Sequence, residues 1–331
     1  MRFFVKEVIL LNKKIIATVL TAALTIGLFA GCSKKKDDAV IRVGSLKGPT
    51  TIGIVNLMDK ATKGETEGKY EFTMSAAADE IAAKIVSGDL DIALVPSNLA
   101  AVLYNKTQKG VTAIDINTMG VLYCVTGNAD IKSMGDLAGK TVIMTGQGTT
   151  PEYSVRYLLE KNGITDCEIE FKSEPTEVAA LLAEDPSKIA VLPQPFVTVA
   201  CAQNDALSVA FSLEEEWNAA NNGLGIVTGV TVVRNDFLKE HGDAVKTFIK
   251  EHAASVETAN TDLDTTASLV VANEIIGAEP VAKKAIPNCN IVCLTGDKLV
   301  DNLSSYLEIL YSFDPKAVGG ELPGEDFYFK G

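Results

Sequence analysis

Residues 79–98 read DEIAAKIVSGDLDIALVPSN, and residues 176–195 read TEVAALLAEDPSKIAVLPQP. The two stretches start 97 residues apart and align without a gap. Glu80 matches Glu177, Ala82 and Ala83 match Ala179 and Ala180, Ile92 and Ala93 match Ile189 and Ala190, and Pro96 matches Pro193. Each copy is an Ala-rich run of helical spacing, a turn, a short apolar run of strand length, and a proline-bearing polar loop. A looser match pairs residues 43–51 with 143–150, each reading as strand, glycine loop and helix start. A repeated α/β unit whose loops leave at strand ends predicts two similar lobes with a ligand held between them.

Outward from the first copy, residues 41–44 and 70–74 read as strands and 49–60 as a helix. This alternation predicts an α/β fold built on mostly parallel sheet covered on both faces. Two apolar runs, 120–126 and 229–233, bracket the second copy. Between them lie a short helix near 131–137, a strand over 140–145, a helix over 150–162 and a strand over 168–172. The chain after 229 reads as helices over 243–258, 263–276, 280–286 and 297–313, then a Gly- and Pro-rich tail. The simplest arrangement is a first lobe (41–121 and 229–331) interrupted by an inserted second lobe (122–228). Two crossovers between rigid lobes form a hinge.

The N-terminus reads as a targeting segment. Arg2, Lys6, Lys13 and Lys14 precede an apolar run over 15–30, too short to span a bilayer with ease and suited to a signal-peptide core. The run ends in Leu28-Phe-Ala-Gly-Cys32, which resembles a bacterial lipobox apart from Phe29. Residues 1–31 are thus expected to be a lipoprotein signal peptide, Cys32 the lipidated residue and 32–40 a short tether. Stable anchoring takes about two acyl chains.

The 331 residues carry a net charge of −13, and loss of residues 1–31 takes it to −16. So acidic a chain is not expected to bind nucleic acid. Five cysteines beyond Cys32 (Cys124, Cys167, Cys201, Cys289 and Cys293) are odd in number and scattered, which argues against a disulfide framework. Cys289 and Cys293 have the spacing of a metal half-site but no histidine nearby in sequence, so no metal and no cofactor is expected. His241 and His252 read as residues of an exposed late helix. With no metal cluster, nucleophile elbow or Cys/His pair in context, a catalytic residue is not expected. Glu214-Glu-Glu216 reads as a solvated helix face.

Four loops are placed at strand ends: 45–51, 96–98, 146–150 and 193–196. Ser45, Lys47, Gly48, Thr50 and Thr51 of the first, and Gly148, Thr149 and Thr150 of the third, put backbone N–H groups and hydroxyls at helix starts. Such groups hold anions, although ordinary helix capping uses the same residues. Ser97 and Asn98 follow the first copy, and Gln194 stands between two prolines in the second. Aromatic residues are 6 % of the chain, so Tyr123, Phe196 and the single tryptophan, Trp217, are the candidates for stacking on a ligand or covering a cleft.

Gly44-Ser-Leu-Lys-Gly-Pro-Thr50, Asp89-Leu-Asp-Ile-Ala-Leu-Val-Pro96, Asp136-Leu-Ala-Gly-Lys-Thr-Val142 and Val191-Leu-Pro-Gln-Pro-Phe196, with the lipobox, together resemble the extracytoplasmic solute-binding proteins of ABC importers. The closest type is the nitrate/sulfonate/taurine group, which is similar to the thiamine-pyrimidine binding proteins. The resemblance implies a type II periplasmic-binding fold that closes on one small solute. It implies delivery to a transmembrane permease driven by a cytoplasmic ATPase, and a monomer lipid-anchored outside the cytoplasm. Ser45, Lys47, Thr50, Ser97, Thr149 and Gln194 then carry over as ligand contacts. The solute is expected to be a sulfonate, a carboxylate or a heterocycle. An enzyme on the same fold and a ligand-sensing lipoprotein are the alternatives.

Overall fold

The computed structural model describes residues 38–331; the expected signal segment 1–31, Cys32 and the expected tether up to residue 37 lie outside the described residues. The chain opens with strand β1 (Val40–Leu46), helix α1 (Pro49–Lys63), β2 (Lys69–Ser75), α2 (Ala78–Ser87), β3 (Ile92–Pro96), α3 (Ser97–Lys106) and β4 (Val111–Thr118). Next come β5 (Leu122–Thr126), β6 (Thr141–Met144), α4 (Thr150–Lys161), β7 (Glu168–Phe171), α5 (Pro175–Glu184), β8 (Ile189–Pro193), α6 (Phe196–Gln203), β9 (Ser208–Ser212) and α7 (Leu213–Ala220). The last part is β10 (Gly229–Arg234), α8 (Asn235–Glu240), α9 (Gly242–Thr261), α10 (Leu263–Ala272), α11 (Glu279–Ala285), β11 (Ile291–Leu294) and α12 (Asp297–Phe313). Among the described residues, no helix is long and apolar enough to cross a membrane.

Two sheets organise these elements. One has the order β11-β4-β10-β3-β1-β2, the other β7-β6-β8-β5-β9. The chain leaves the first sheet after β4, builds the whole second sheet, and returns as β10. The crossing segments are short, residues 119–121 outward and 221–228 back. The repeated stretch becomes α2–β3 in one sheet and α5–β8 in the other. Ile92 to Val95 and Ile189 to Leu192 are buried, and each strand ends in a partly buried proline. β3 lies between parallel β1 and antiparallel β10; β8 lies between parallel β6 and antiparallel β5. Full burial of each large aliphatic residue in these strands contributes roughly 1.5–3 kcal/mol.

The sheets differ from the sequence-based expectation in one respect. They are mixed rather than mostly parallel, because β10 and β4 join the first sheet antiparallel and β5 and β9 the second. Strand β4 carries no readable pattern. It is buried along its whole length yet includes Thr112, Asp115, Asn117 and Thr118. Those polar groups are satisfied inside the fold, with Thr231 donating to Asp115 (2.7 Å) and Asn117 to Thr231 (3.2 Å). Strand β11 interrupts what read as an all-helical C-terminal part. The tail also belongs to the core: Phe327 is fully buried, its ring 5.1 Å from that of Tyr104, and Tyr328 bridges to Ala113.

At the N-terminal end of β3, Asp91 is 1 % exposed and holds two arginines. Arg42 of β1 donates through Nε and Nη2 at 2.8 and 2.6 Å, and Arg234 at the end of β10 through Nη2 at 3.1 Å. One carboxylate thus ties three neighbouring strands at the end opposite the candidate loops.

Candidate functional site

The C-terminal ends of the strands bring the two halves of the chain into contact. Ser97 donates its N–H to Thr228 O (3.1 Å) and its hydroxyl to Val227 O, so the loop after β3 is fixed to the returning segment. Thr150, at the start of α4, donates to Asn98 Oδ1 at 3.1 Å and stands 3.2 Å from Ser97 Oγ. Asn98 Nδ2 donates to Gly148 O (3.3 Å) and to Ala317 O (3.1 Å) in the tail. Ser97, Asn98 and Thr150 are all buried. These residues, some fifty positions apart, form one polar group where the two sheets meet.

The β1–α1 loop adjoins this group through Gly229: a Cβ on that glycine would lie 3.3 Å from Thr50 Cγ2. Within the loop the hydroxyls are spent locally. Thr50 and Thr51 both donate to Leu46 O, at 2.8 and 2.6 Å, and Ser45 Oγ lies 2.7 Å from Thr51 Oγ1. The N-terminus of α1 itself has Gly48 at its cap position and no side-chain cap, although Thr50 and Thr51 are buried. Lys47 is partly exposed beside it. A buried, uncapped helix start leaves strong N–H donors without a protein acceptor. The start of α4 likewise has no side-chain cap, but it differs in what lies beside it. Thr149 donates to Gly146 O (2.7 Å), and Glu152 Oε2 accepts from Gly148 N (2.6 Å) while Oε1 accepts from Arg156 Nε (2.7 Å). A carboxylate of the protein already sits at this second helix end.

Three expected site residues are placed differently from the reading of their sequence. Gln194 is 4 % exposed, and its Oε1 accepts from Thr198 Oγ1 (2.8 Å) and, at 3.4 Å, from Thr198 N, so its carbonyl caps the first turn of α6. Phe196 is buried among Val125, Ile143, Ala190 and Leu192 in the core of the second sheet. Trp217 is fully buried between Tyr157 (4.6 Å between centroids) and Tyr306 (5.2 Å) rather than covering a cleft. Both aromatics are drawn in by the apolar area they remove from water. Tyr123 remains partly exposed on β5; burial, with Cys289, Glu214 and Glu215 nearby, pushes its hydroxyl pKa up.

Other residues at the crossing were missed. Thr228 Oγ1 is buried, next in sequence to Gly229, and has no hydrogen-bond partner among the described residues. Glu214, expected on a solvated face, accepts from Ile226 N (2.8 Å) and from Asn218 Nδ2 (3.3 Å). Burial pushes its carboxyl pKa up. Its side chain fills the space above both crossing segments: a Cβ on Gly120 would fall 2.1 Å from Oε2, and one on Gly225 2.6 Å from Oε1. His252 is also corrected. It is fully buried, with Nδ1 3.1 Å from Asp115 Oδ2. Cys293 Sγ lies 3.9 Å from the same nitrogen, while Cys289 donates its thiol to Ala285 O. The buried face of α9 (Val245, Phe248, His252, Val256 and Ala259) has helical spacing, a signal legible in the sequence.

Comparison with known proteins bears on this arrangement. Residues 55–251 match the family described as ABC transporter, phosphonate, periplasmic substrate-binding protein. No curated protein matches the sequence. Among solved structures, an ABC transporter protein from Parabacteroides distasonis superposes with a TM-score of 0.74 at 23 % identity, covering 88 % of this chain and 99 % of that one. The alkanesulfonate-binding protein of Xanthomonas axonopodis pv. citri, bound to MOPS, gives 0.66 at 12 % identity, with 86 % and 95 % covered. The Candida albicans CA3427 gene product, described as having the generic periplasmic binding protein fold, gives 0.60 at 13 %, with 87 % and 99 % covered. These likenesses establish the fold, that of the periplasmic binding proteins. The family match spans more than half of the chain, and the protein belongs to the phosphonate-type periplasmic substrate-binding proteins of ABC transporters.

Proposed function

We propose that this chain captures a small organic anion between two lobes and delivers it to the permease of an ABC importer. The lobes are residues 41–121 with 229–331, and residues 122–228. The crossing segments serve as the hinge, and the mature chain is held to the outer face of its membrane by lipid on Cys32. The observation that carries the reading is the start of α1, buried and without a side-chain cap, with Gly229 packed against its Thr50; Thr228, the residue before Gly229, has a buried hydroxyl with no hydrogen-bond partner among the described residues. A helix N-terminus favours negative charge and offers N–H donors to it.

The head group we favour is a sulfonate, with a carboxylate as the nearest alternative. The arginines of the described chain are already paired, Arg42 and Arg234 with Asp91 and Arg156 with Glu152. That leaves one helix end, the Thr228 hydroxyl and Lys47 for the anion, a set suited to a single charge better than to a phosphonate dianion. The sulfonate-binding relatives point the same way. A thermal-shift panel of sulfonates, phosphonates, carboxylates and heterocycles tests the class. A ligand at a hundredfold excess over its Kd stabilises the native state by about 2.7 kcal/mol. A sulfonate that raises Tm, with phosphonates weaker, supports the reading; a panel in which only neutral heterocycles act overturns it.

A further inference from the structure

Three side chains from separate elements converge in the core of the first sheet: Asp115 of β4, His252 of α9 and Cys293 of β11. Asp115 and His252 are fully buried, and Cys293 is partly so. Nδ1 of His252 lies 3.1 Å from Asp115 Oδ2 and 3.9 Å from Cys293 Sγ, and the three ligand atoms all fall within 4.8 Å of one another. Around a tetrahedral zinc ion, nitrogen, oxygen and thiolate donors stand roughly 3.2–3.8 Å apart. The observed spacing brackets that range, so only small side-chain shifts separate this group from a coordination set.

We propose that Asp115, His252 and Cys293 bind one divalent cation of the zinc class through Oδ2, Nδ1 and Sγ. On binding, the Cys293 thiol releases its proton, and the imidazole carries its proton on Nε2. The carboxylate and the thiolate then cancel the two positive charges, leaving a neutral group in a buried place. His252 Nε2 has no hydrogen-bond partner among the described residues, so nothing on that side of the ring fixes the tautomer against the change. Asp115 is oriented from behind: Thr231 donates to its Oδ1 at 2.7 Å, and Asn117 donates to Thr231 at 3.2 Å. Supporting hydrogen bonds of this kind orient metal ligands and tune their affinity. Cys293 lies on the edge strand of the sheet and is the one partly exposed member of the group. Three protein ligands leave a fourth position for water.

The site is independent of the solute reading, and its test is too. Chelator-treated full-length protein is titrated with Zn2+ and, separately, with Co2+, whose thiolate charge-transfer absorption reports a Cys ligand. We expect one ion per chain, the charge-transfer band, and a Tm raised by Zn2+. Cys293→Ser should abolish the band and weaken Zn2+ binding by more than the ~10–100-fold typical of losing a supporting contact. Thr231→Val should keep the band and weaken binding by about 10–100-fold. Cys167→Ser and Cys201→Ser should change neither. Folded wild-type protein that takes up no stoichiometric Zn2+, or a band of equal strength in folded Cys293→Ser, overturns the proposal.

Discussion

Asp91 lies within the sequence stretch that resembles solute-binding proteins, yet its work is structural. Burial alone would raise its carboxyl pKa, but hydrogen bonds from Arg42, and then from Arg234, hold it below the usual carboxylate range. A carboxyl with a depressed folded pKa contributes stability that is present above its unfolded pKa, near 3.9, and is lost as pH falls through the folded value. Asp91→Asn should therefore lower stability at pH 7 and flatten the acid limb of the pH–stability curve. Breaking a buried pair costs about 3–5 kcal/mol. Arg42 is 37 % exposed, so solvent screening brings the expected loss nearer 2 kcal/mol. Urea denaturation at pH 7 and pH 3 measures it, and an unchanged acid limb would show that Asp91 does not couple the strands. At Gly120 the constraint is steric. Gly120→Ala sets a methyl 2.1 Å from the Glu214 carboxylate and should cost about 1–3 kcal/mol. Glu214→Ala in the same chain should recover part of that loss, and a double-mutant cycle with no coupling would contradict the packing.

At the scale of elements, what the sequence disclosed and what it hid have different causes. The pairs α2–β3 and α5–β8 were legible because each strand is buried on both faces and so reads as a continuous apolar run. Strand β4 was not, because its polar residues find their partners in β10 and α9, and pairing across a sheet leaves no local pattern. The candidate loops were located correctly at strand ends, since glycine and proline mark them. The division of labour within them was hidden. Whether a threonine hydroxyl faces a ligand or its own turn depends on where its neighbours' carbonyls point. Gln194 illustrates this. Flanked by prolines it reads as a free amide, but its carbonyl caps α6. Gln194→Ala should cost roughly 1 kcal/mol in the unliganded protein, as loss of a cap does. A Tm equal to wild type would show that the cap contributes nothing.

In the whole molecule, the two sheets are held together at the candidate site by Ser97, Asn98 and Thr150. In the reading proposed above, these contacts hold the two lobes closed. Binding proteins of this fold act by exchanging closed and open arrangements, and a solute shifts the balance only by binding one of them better. Thr150→Val removes the donor to Asn98 and should favour the open arrangement, visible in solution scattering as a larger radius of gyration without solute. An unchanged radius would mean that the contact does not govern closure. The net negative charge of the chain disfavours long-range attraction of an anion, so the proposed recognition rests on short-range donors at the start of α1 and on Thr228.

Isothermal titration of the wild-type protein and of Thr228→Val with the sulfonate that gives the largest Tm shift tests this account most directly. It predicts one site per chain in wild type and an affinity at least ~10-fold lower in Thr228→Val, equivalent to about 1.4 kcal/mol, with the unliganded Tm little changed. Equal affinity in the two proteins would contradict it, because the solute would then bind away from the crossing between the two sheets.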